Sequence, residues 1–291
     1  MNRIFEFPRG SKFLIIHADD LGMAHSINAA SFAAFNEHAI TSASAMVTCP
    51  WFPEVIQYSI NNPMLDIGVH LTLTSEWKSY RWRPLCHSPS YSGLVDSVGY
   101  FHRSVDLIQA EINTLEREIR AQIQVALDCG VKPSHLDGHM FAIFARPEFA
   151  RRFIEISNEF QILPFLPDTV YGHSELVDAS NKISVPRVSV LQADPDISPN
   201  DWLEHYIDMV KGLKPGLNQL IVHLGHDDSE LKNITDYRPR YGAAWRQRDF
   251  DVVRAPEFKR AIADNGVILI NWRDVRDIID LRADLFAYPS A

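Results

Sequence analysis

Short runs of consecutive apolar residues alternate along the chain with longer stretches in which apolar residues recur every three or four positions. The runs predict strands at 13–17, 43–47, 67–73, 134–139, 184–190, 219–224 and 267–271. The periodic stretches predict helices at 26–36, 52–61, 105–129, 147–159, 200–213, 256–264 and 274–281. Strands alternating with helices predict an α/β protein with a parallel sheet or barrel and helices outside it. The helix over 105–129 has the clearest pattern, with Ile108, Ile112, Leu115, Ile119, Ile123 and Ala126 on one face. Glu116 and Arg120 stand one turn apart on it, and Gly130 is its stop. Pro147 and Pro256 open two further helices, where a missing N–H costs nothing.

Residues 78–103 break this rhythm. They hold Arg81-Trp82-Arg83-Pro84, a Ser/Pro/Tyr/Gly-rich stretch and Val98-Gly99-Tyr100-Phe101, too long for an ordinary connection and typical of lids and binding loops. No shift of composition marks a boundary, so the expectation is one domain over 1–291 with a loop insertion at 78–103.

The polar residues inside the apolar runs carry the chemistry. The first strand ends His17-Ala18-Asp19-Asp20-Leu21-Gly22. Adjacent carboxylates repel, which tends to raise one pKa unless a cation lies between them. The economical assignment is one carboxylate on a metal and the other free as a base. Side-chain alternation puts His70 and Thr72 on one face of the third strand, and His135, Asp137 and His139 on one face of the fourth. His223 comes late in its run, before Gly225. In a parallel barrel these strand ends converge at one mouth. An Asp with two His around a divalent cation leaves positions open for water and substrate.

Each piece has a plainer explanation: a lone strand histidine is more often a hydrogen-bonded core residue than a ligand, and Asp19-Asp20 also suits an N-cap of the helix at 26–36. His226-Asp227-Asp228 has the character of a polar loop. Four such strand ends in one series are hard to explain as packing.

Net charge is -9 with the 12 histidines neutral, which argues against nucleic-acid binding and against attraction to anionic membranes. No stretch has the length of a membrane span, and residues 1–12 lack a signal-peptide cleavage site. Cys49, Cys86 and Cys129 are odd in number and widely spaced, which predicts three small buried hydrophobes and a reducing, cytoplasmic setting. Positive charge is scarce near the motifs, which weakens the case for a bound phosphate.

The blocks Leu14-Ile15-Ile16-His17-Ala18-Asp19-Asp20-Leu21-Gly22, Gly68-Val69-His70-Leu71-Thr72 and His135-Leu136-Asp137-Gly138-His139 resemble, in order and spacing, the signature blocks of the YdjC-like carbohydrate deacetylases. The resemblance runs over most of the chain. It implies an irregular, TIM-like (β/α) barrel related to polysaccharide deacetylases, with one divalent metal ion, magnesium or zinc foremost. Carried over by position, Asp20, His70 and His139 are the metal ligands, Asp19 is the catalytic base and His223 is the general acid. The chain departs from the family at His17, where asparagine is frequent, and at Met140-Phe141, where many relatives carry histidines. Its late block is Val222-His223-Leu224-Gly225-His226 instead of His-Pro-Gly, which leaves the acid open between His223 and His226.

The implied activity is hydrolysis of an N-acetyl group from an amino sugar or short oligosaccharide. The expected partner is a small acetylated sugar, and a homodimer is in keeping with the family. His135 and Asp137 are expected to orient His139 or the base, and Arg187 to orient Asp19. Trp77, Trp82, Tyr91 and Tyr100 serve either as stacking platforms for sugar or as the core of the loop. The competing readings are another metal-dependent hydrolase of a phosphoester or amide, and a silent carbohydrate-binding protein.

Overall fold

The computed structural model describes residues 7–86, 93–169, 187–194 and 196–282. The chain runs through β1 (Lys12–Leu21), α1 (His25–Asn36), β2 (Ser42–Ala45), α2 (Phe52–Asn61), β3 (Ile67–Leu71), α3 (Ile112–Asp128), β4 (His135–Gly138), α4 (Pro147–Phe160) and β5 (Leu163–Pro164). It continues through β6 (Ser189–Gln192), α5 (Trp202–Lys211), β7 (Gly216–Val222), α6 (Ser229–Ile234), α7 (Ala243–Arg254), α8 (Pro256–Asp264), β8 (Val267–Leu269) and α9 (Trp272–Arg282).

The strands pair in parallel in the order β5-β4-β3-β2-β1-β7-β6. A parallel bridge between Pro167 and Val188 joins the two ends of this row, so the sheet curls into an irregular (β/α) barrel. The irregularity lies at β1. Along Lys12–Leu14 it pairs with β8, and further along, over His17–Leu21, with β2.

Side-chain alternation sorts the strands into two cores. Leu14, Ile16 and Ala18 of β1 face the helices, where they join Ile27, Leu115, Ile119 and Phe153. Phe13 and Ile15 face the barrel interior with Leu217, Ile221, Phe165 and Trp272. Above that apolar floor the inward positions turn polar. Ser42, Ser44, His17, His135 and Gln219 are all buried there. Gly68 points at this layer too, and a Cβ on it would lie 2.5 Å from His135 Cε1. The position must be glycine for the His135 ring to fit.

Several boundaries differ from expectation. The segment predicted as one helix at 105–129 is a single 3-10 turn (Val105–Leu107), then extended chain at Ile108, then α3. Gln109 N donates to Gly93 O, so the loop takes these residues out of the helix. Helices α6 and α7 were not anticipated. The buried side of α7 includes Arg246 and Asp249, which interrupt an apolar stripe. The predicted strand at 184–190 lies partly outside the described residues, and against its described part β6 (Ser189–Gln192) starts and ends two residues later. Of the cysteines only Cys49 is buried, and Cys86 and Cys129 are partly exposed.

Candidate metal and catalytic site

The acid pair is built by a bulge. Strict alternation would send Asp19 and Asp20 to opposite faces of β1. The register with β2 shifts between Ala18 and Leu21, and Asp20 adopts a left-handed φ of 70°. The extra residue turns the strand, so both carboxylates line the cavity at the mouth. Neither caps α1, whose N-cap is Ala24 without a side-chain hydrogen bond.

Asp20 meets two histidines. His139 Nδ1 lies 3.1 Å and His70 Nε2 3.5 Å from Asp20 Oδ1. All three residues are buried, and Asp20 Oδ1 and His70 Nε2 have no hydrogen-bond partner. Buried polar atoms without partners call for an explanation. One oxygen and two imidazole nitrogens within 4.8 Å of one another are a donor set that suits a divalent cation.

Carboxylates behind the rings set which nitrogen is free. His70 Nδ1 is 2.8 Å from Asp137 Oδ1, which leaves Nε2 for the site. His139 is turned the other way, with Nε2 3.0 Å from Glu76 Oε2 and Nδ1 toward Asp20. Of the two expected targets of Asp137, His139 or the base, His139 is held by Glu76 instead, while Asp137 meets His70 and reaches Asp19 through His17. His70 and Asp137 face each other across the β3–β4 ladder, nearer than two residues along one strand. His135 sits lower, stacked on Trp272 with ring centroids 5.1 Å apart.

His17 joins the two acids behind the site. Its Nε2 is 2.9 Å from Asp137 Oδ2 and 3.2 Å from Asp19 Oδ1. Its Nδ1 lies 3.0 Å from Ser42 Oγ, which donates to Asp66. Burial presses the His17 pKa down, but hydrogen bonds and charge from Asp137 and Asp19 outweigh it and lift it to about 9. Burial likewise works against the Asp20 carboxylate, and Arg246, then His139 and His70, hold its pKa well below the usual range. Arg246 meets the acid pair, with Nη2 2.7 Å from Asp20 Oδ2.

His223 Nε2 lies 3.7 Å from Asp19 Oδ2 on the opposite wall. Burial lowers its pKa to about 4, so the ring is neutral near pH 7. Its backbone N–H donates to Asp249, a buried carboxylate that also accepts from Trp202 Nε1 and Tyr206 Oη. His226 instead packs its ring on Phe250, 5.1 Å between centroids, and does not line the cavity.

Above these groups opens a cavity of about 500 Å³. Trp77, Met140 and Phe141 form apolar walls, and Arg103, Arg238 and Arg240 stand among the lining residues with Arg246. The expected scarcity of positive charge does not hold in space, because these arginines come from segments remote from the motifs. Arg103 and Arg238 also line an adjoining hollow with Lys78. Trp82 belongs to the loop's own core, buried with Nε1 donating to Thr74 O. Tyr100 lies under Arg81 and Arg83. Trp77 is buried yet reaches the cavity, with Arg238 over its ring, and Tyr91 lies outside the described residues. Glu76, Arg246 and Asp249 carried no motif in the sequence.

A sequence profile described as YdjC-like protein matches residues 13–264. The chain belongs to the YdjC-like family. A carbohydrate deacetylase of Thermus thermophilus is 31% identical to it over 280 residues, covering 93% of this chain and 96% of the relative. A carbohydrate deacetylase of Thermoanaerobacter pseudethanolicus is 26% identical, covering 90% and 98%. Among solved structures, a protein of Enterococcus faecalis described as a cellobiose-phosphate cleavage protein superposes with a TM-score of 0.75 at 26% identity, covering 91% of this YdjC-like chain and 99% of the other. Among the described residues no helix is long and apolar enough to cross a membrane.

Proposed function

We propose that the protein is a metal-dependent hydrolase that removes an N-acetyl group from an amino sugar or short oligosaccharide. The observation that carries this reading is the convergence of unpartnered Asp20 Oδ1 and His70 Nε2 with His139 Nδ1, beside a second carboxylate, Asp19, at the floor of a cavity. The family relatives named carbohydrate deacetylases supply the substrate class.

Asp20, His70 and His139 hold the cation, with magnesium and zinc the leading choices. A divalent cation here supplies Lewis acidity for an amide carbonyl. Asp19 takes a proton from the attacking water. The amine is a poor leaving group until protonated. His223 is neutral at rest, so it must first take up a proton, and the one Asp19 has taken can reach it through a single water across the 3.7 Å between them before it passes to the leaving nitrogen.

The arginines favour a sugar that carries an anionic group, a phosphate foremost. Arg103, Arg238 and Arg240 lie at the cavity, and the Enterococcus neighbour is described in terms of a sugar phosphate.

The test is acetate release from a panel of N-acetylated sugars, including N,N'-diacetylchitobiose with and without a phosphate. Cation-loaded protein releases acetate and chelator-treated protein does not. Asp20→Ala loses cation and turnover together. Asp19→Asn keeps the cation and loses about 10²- to 10⁴-fold in rate, the range of a positioned base. Loaded protein that releases no acetate from any sugar would return the choice to another hydrolase or a silent binder.

A further inference from the structure

Glu76 lies outside every motif, yet its carboxylate is within hydrogen-bond distance of His139. Glu76 Oε2 is 3.0 Å from His139 Nε2, and the two side chains are only 13% and 6% exposed. An imidazole bonded to a carboxylate through one nitrogen keeps its proton there and presents the lone pair of the other nitrogen. Nδ1 is the nitrogen that faces Asp20 Oδ1.

The backbone around Glu76 is fixed on both sides. Thr74 O accepts from Trp82 Nε1 at 2.7 Å, and Ser75 N donates to His102 O at 2.8 Å. Ser75 Oγ accepts from Trp82 N and Arg81 Nε. Trp77 O accepts from Arg103 Nη2 at 3.1 Å. Four residues of the 78–103 segment, Arg81, Trp82, His102 and Arg103, thus hold Thr74, Ser75 and Trp77, the neighbours of Glu76, in place. His139 itself opens a 3-10 turn (His139–Phe144) in which the next two residues, Met140 and Phe141, both adopt left-handed φ values, 52° and 54°.

We propose that Glu76 is the positioning residue of His139, fixing its tautomer and aiming Nδ1 at the cation shared with Asp20 and His70. This rests on the ligand set of the proposed function. It also gives the segment over 78–103 a role at the metal: the loop braces the carboxylate that braces the ligand.

Zinc affinity, measured by chelator competition on purified full-length protein, tests it independently of turnover. Loss of an outer carboxylate of this kind weakens metal binding about 10- to 100-fold. Glu76→Ala is expected to fall in that range, and Glu76→Gln, which keeps an acceptor of the same length, recovers most of the loss. Cobalt-loaded Glu76→Ala should show an altered visible spectrum. A Glu76→Ala variant with wild-type zinc affinity would overturn the proposal, and a raised KM in that variant would reassign Glu76 to the substrate. A Gln variant as weak as the Ala variant would also overturn it, since charge alone would then explain the effect. If Glu76→Ala does not fold, Glu76→Met, which keeps the bulk without an acceptor, takes its place, and wild-type zinc affinity in it would overturn the proposal. His139→Ala runs beside them; wild-type affinity there would remove the ligand set itself, a distinct failure.

Discussion

Arg246 Nη2 stands 2.7 Å from Asp20 Oδ2, with both side chains buried. The guanidinium therefore serves Asp20, while Asp19 has His17 at 3.2 Å, His223 at 3.7 Å and His70 at 3.9 Å. Breaking one side of a buried ion pair costs about 3–5 kcal/mol, because the other charge stays buried alone. Arg246→Met, which keeps bulk and removes charge, is expected to lose stability of that order in urea unfolding of the cation-free protein. Added zinc should return part of it. A variant with the wild-type midpoint in the cation-free state would show that Asp20 does not depend on the pair.

Asp249 fixes the end of β7. It accepts from Tyr206 Oη at 2.6 Å, His223 N at 2.9 Å and Trp202 Nε1 at 3.0 Å. Asp249→Ala releases the His223 backbone, and a displacement near 1 Å at a reacting group costs about 10²-fold in rate. Turnover should fall by that order while bound cation, read by elemental analysis, stays at the wild-type level. Loss of the cation as well would mean that Asp249 supports the whole mouth.

The His17 cluster gives cation-free protein a defined pH slope. The His17 pKa rises from 6.5 unfolded to about 9 folded, so the protonated ring stabilises the fold fully below 6.5 and that stability is lost as pH rises toward 9. At 1.36 kcal/mol per unit the His17 share is about 3 kcal/mol. His139, also lifted to about 9, adds in the same direction until a cation replaces its proton. Chemical denaturation of cation-free protein from pH 6 to 9.5 should show the decline, and His17→Asn should flatten it in part. An unchanged slope in that variant would remove His17 as its source.

The arginines at the cavity should discriminate between substrates. Arg238→Ala is expected to raise KM about tenfold for a phosphorylated N-acetyl sugar and to leave the neutral sugar unaffected, the pattern of a lost binding contact. Added salt should shrink the difference between the two sugars in the wild type. Equal effects on both sugars would assign Arg238 to its stacking on Trp77 instead.

The two histidines proposed as ligands were legible because His70 sits on the short buried strand β3 and His139 directly follows β4, where alternation is simple to count. The shared face of Asp19 and Asp20 was not, since alternation separates adjacent residues and a bulge leaves no mark in these side chains. Asp137 was legible as an outer partner but was matched along its own strand, whereas β3 lies beside it. Arg246 and Asp249 were hidden with α7, because polar residues on a buried helix face erase the apolar stripe by which such helices are recognised. The arginines at the mouth come from loops and α7, where spacing carries no information about who meets whom.

The left-handed backbone at Asp20 restricts its replacements twice over. Glycine, asparagine and aspartate enter that conformation most readily. Of those three only aspartate carries a negative charge for Arg246 and the histidines, while glutamate brings the charge on a chain the backbone resists. Two unrelated filters, steric and electrostatic, overlap on a single amino acid. In a saturation library selected for folded protein, position 20 should accept fewer substitutions than position 19, whose φ is not left-handed.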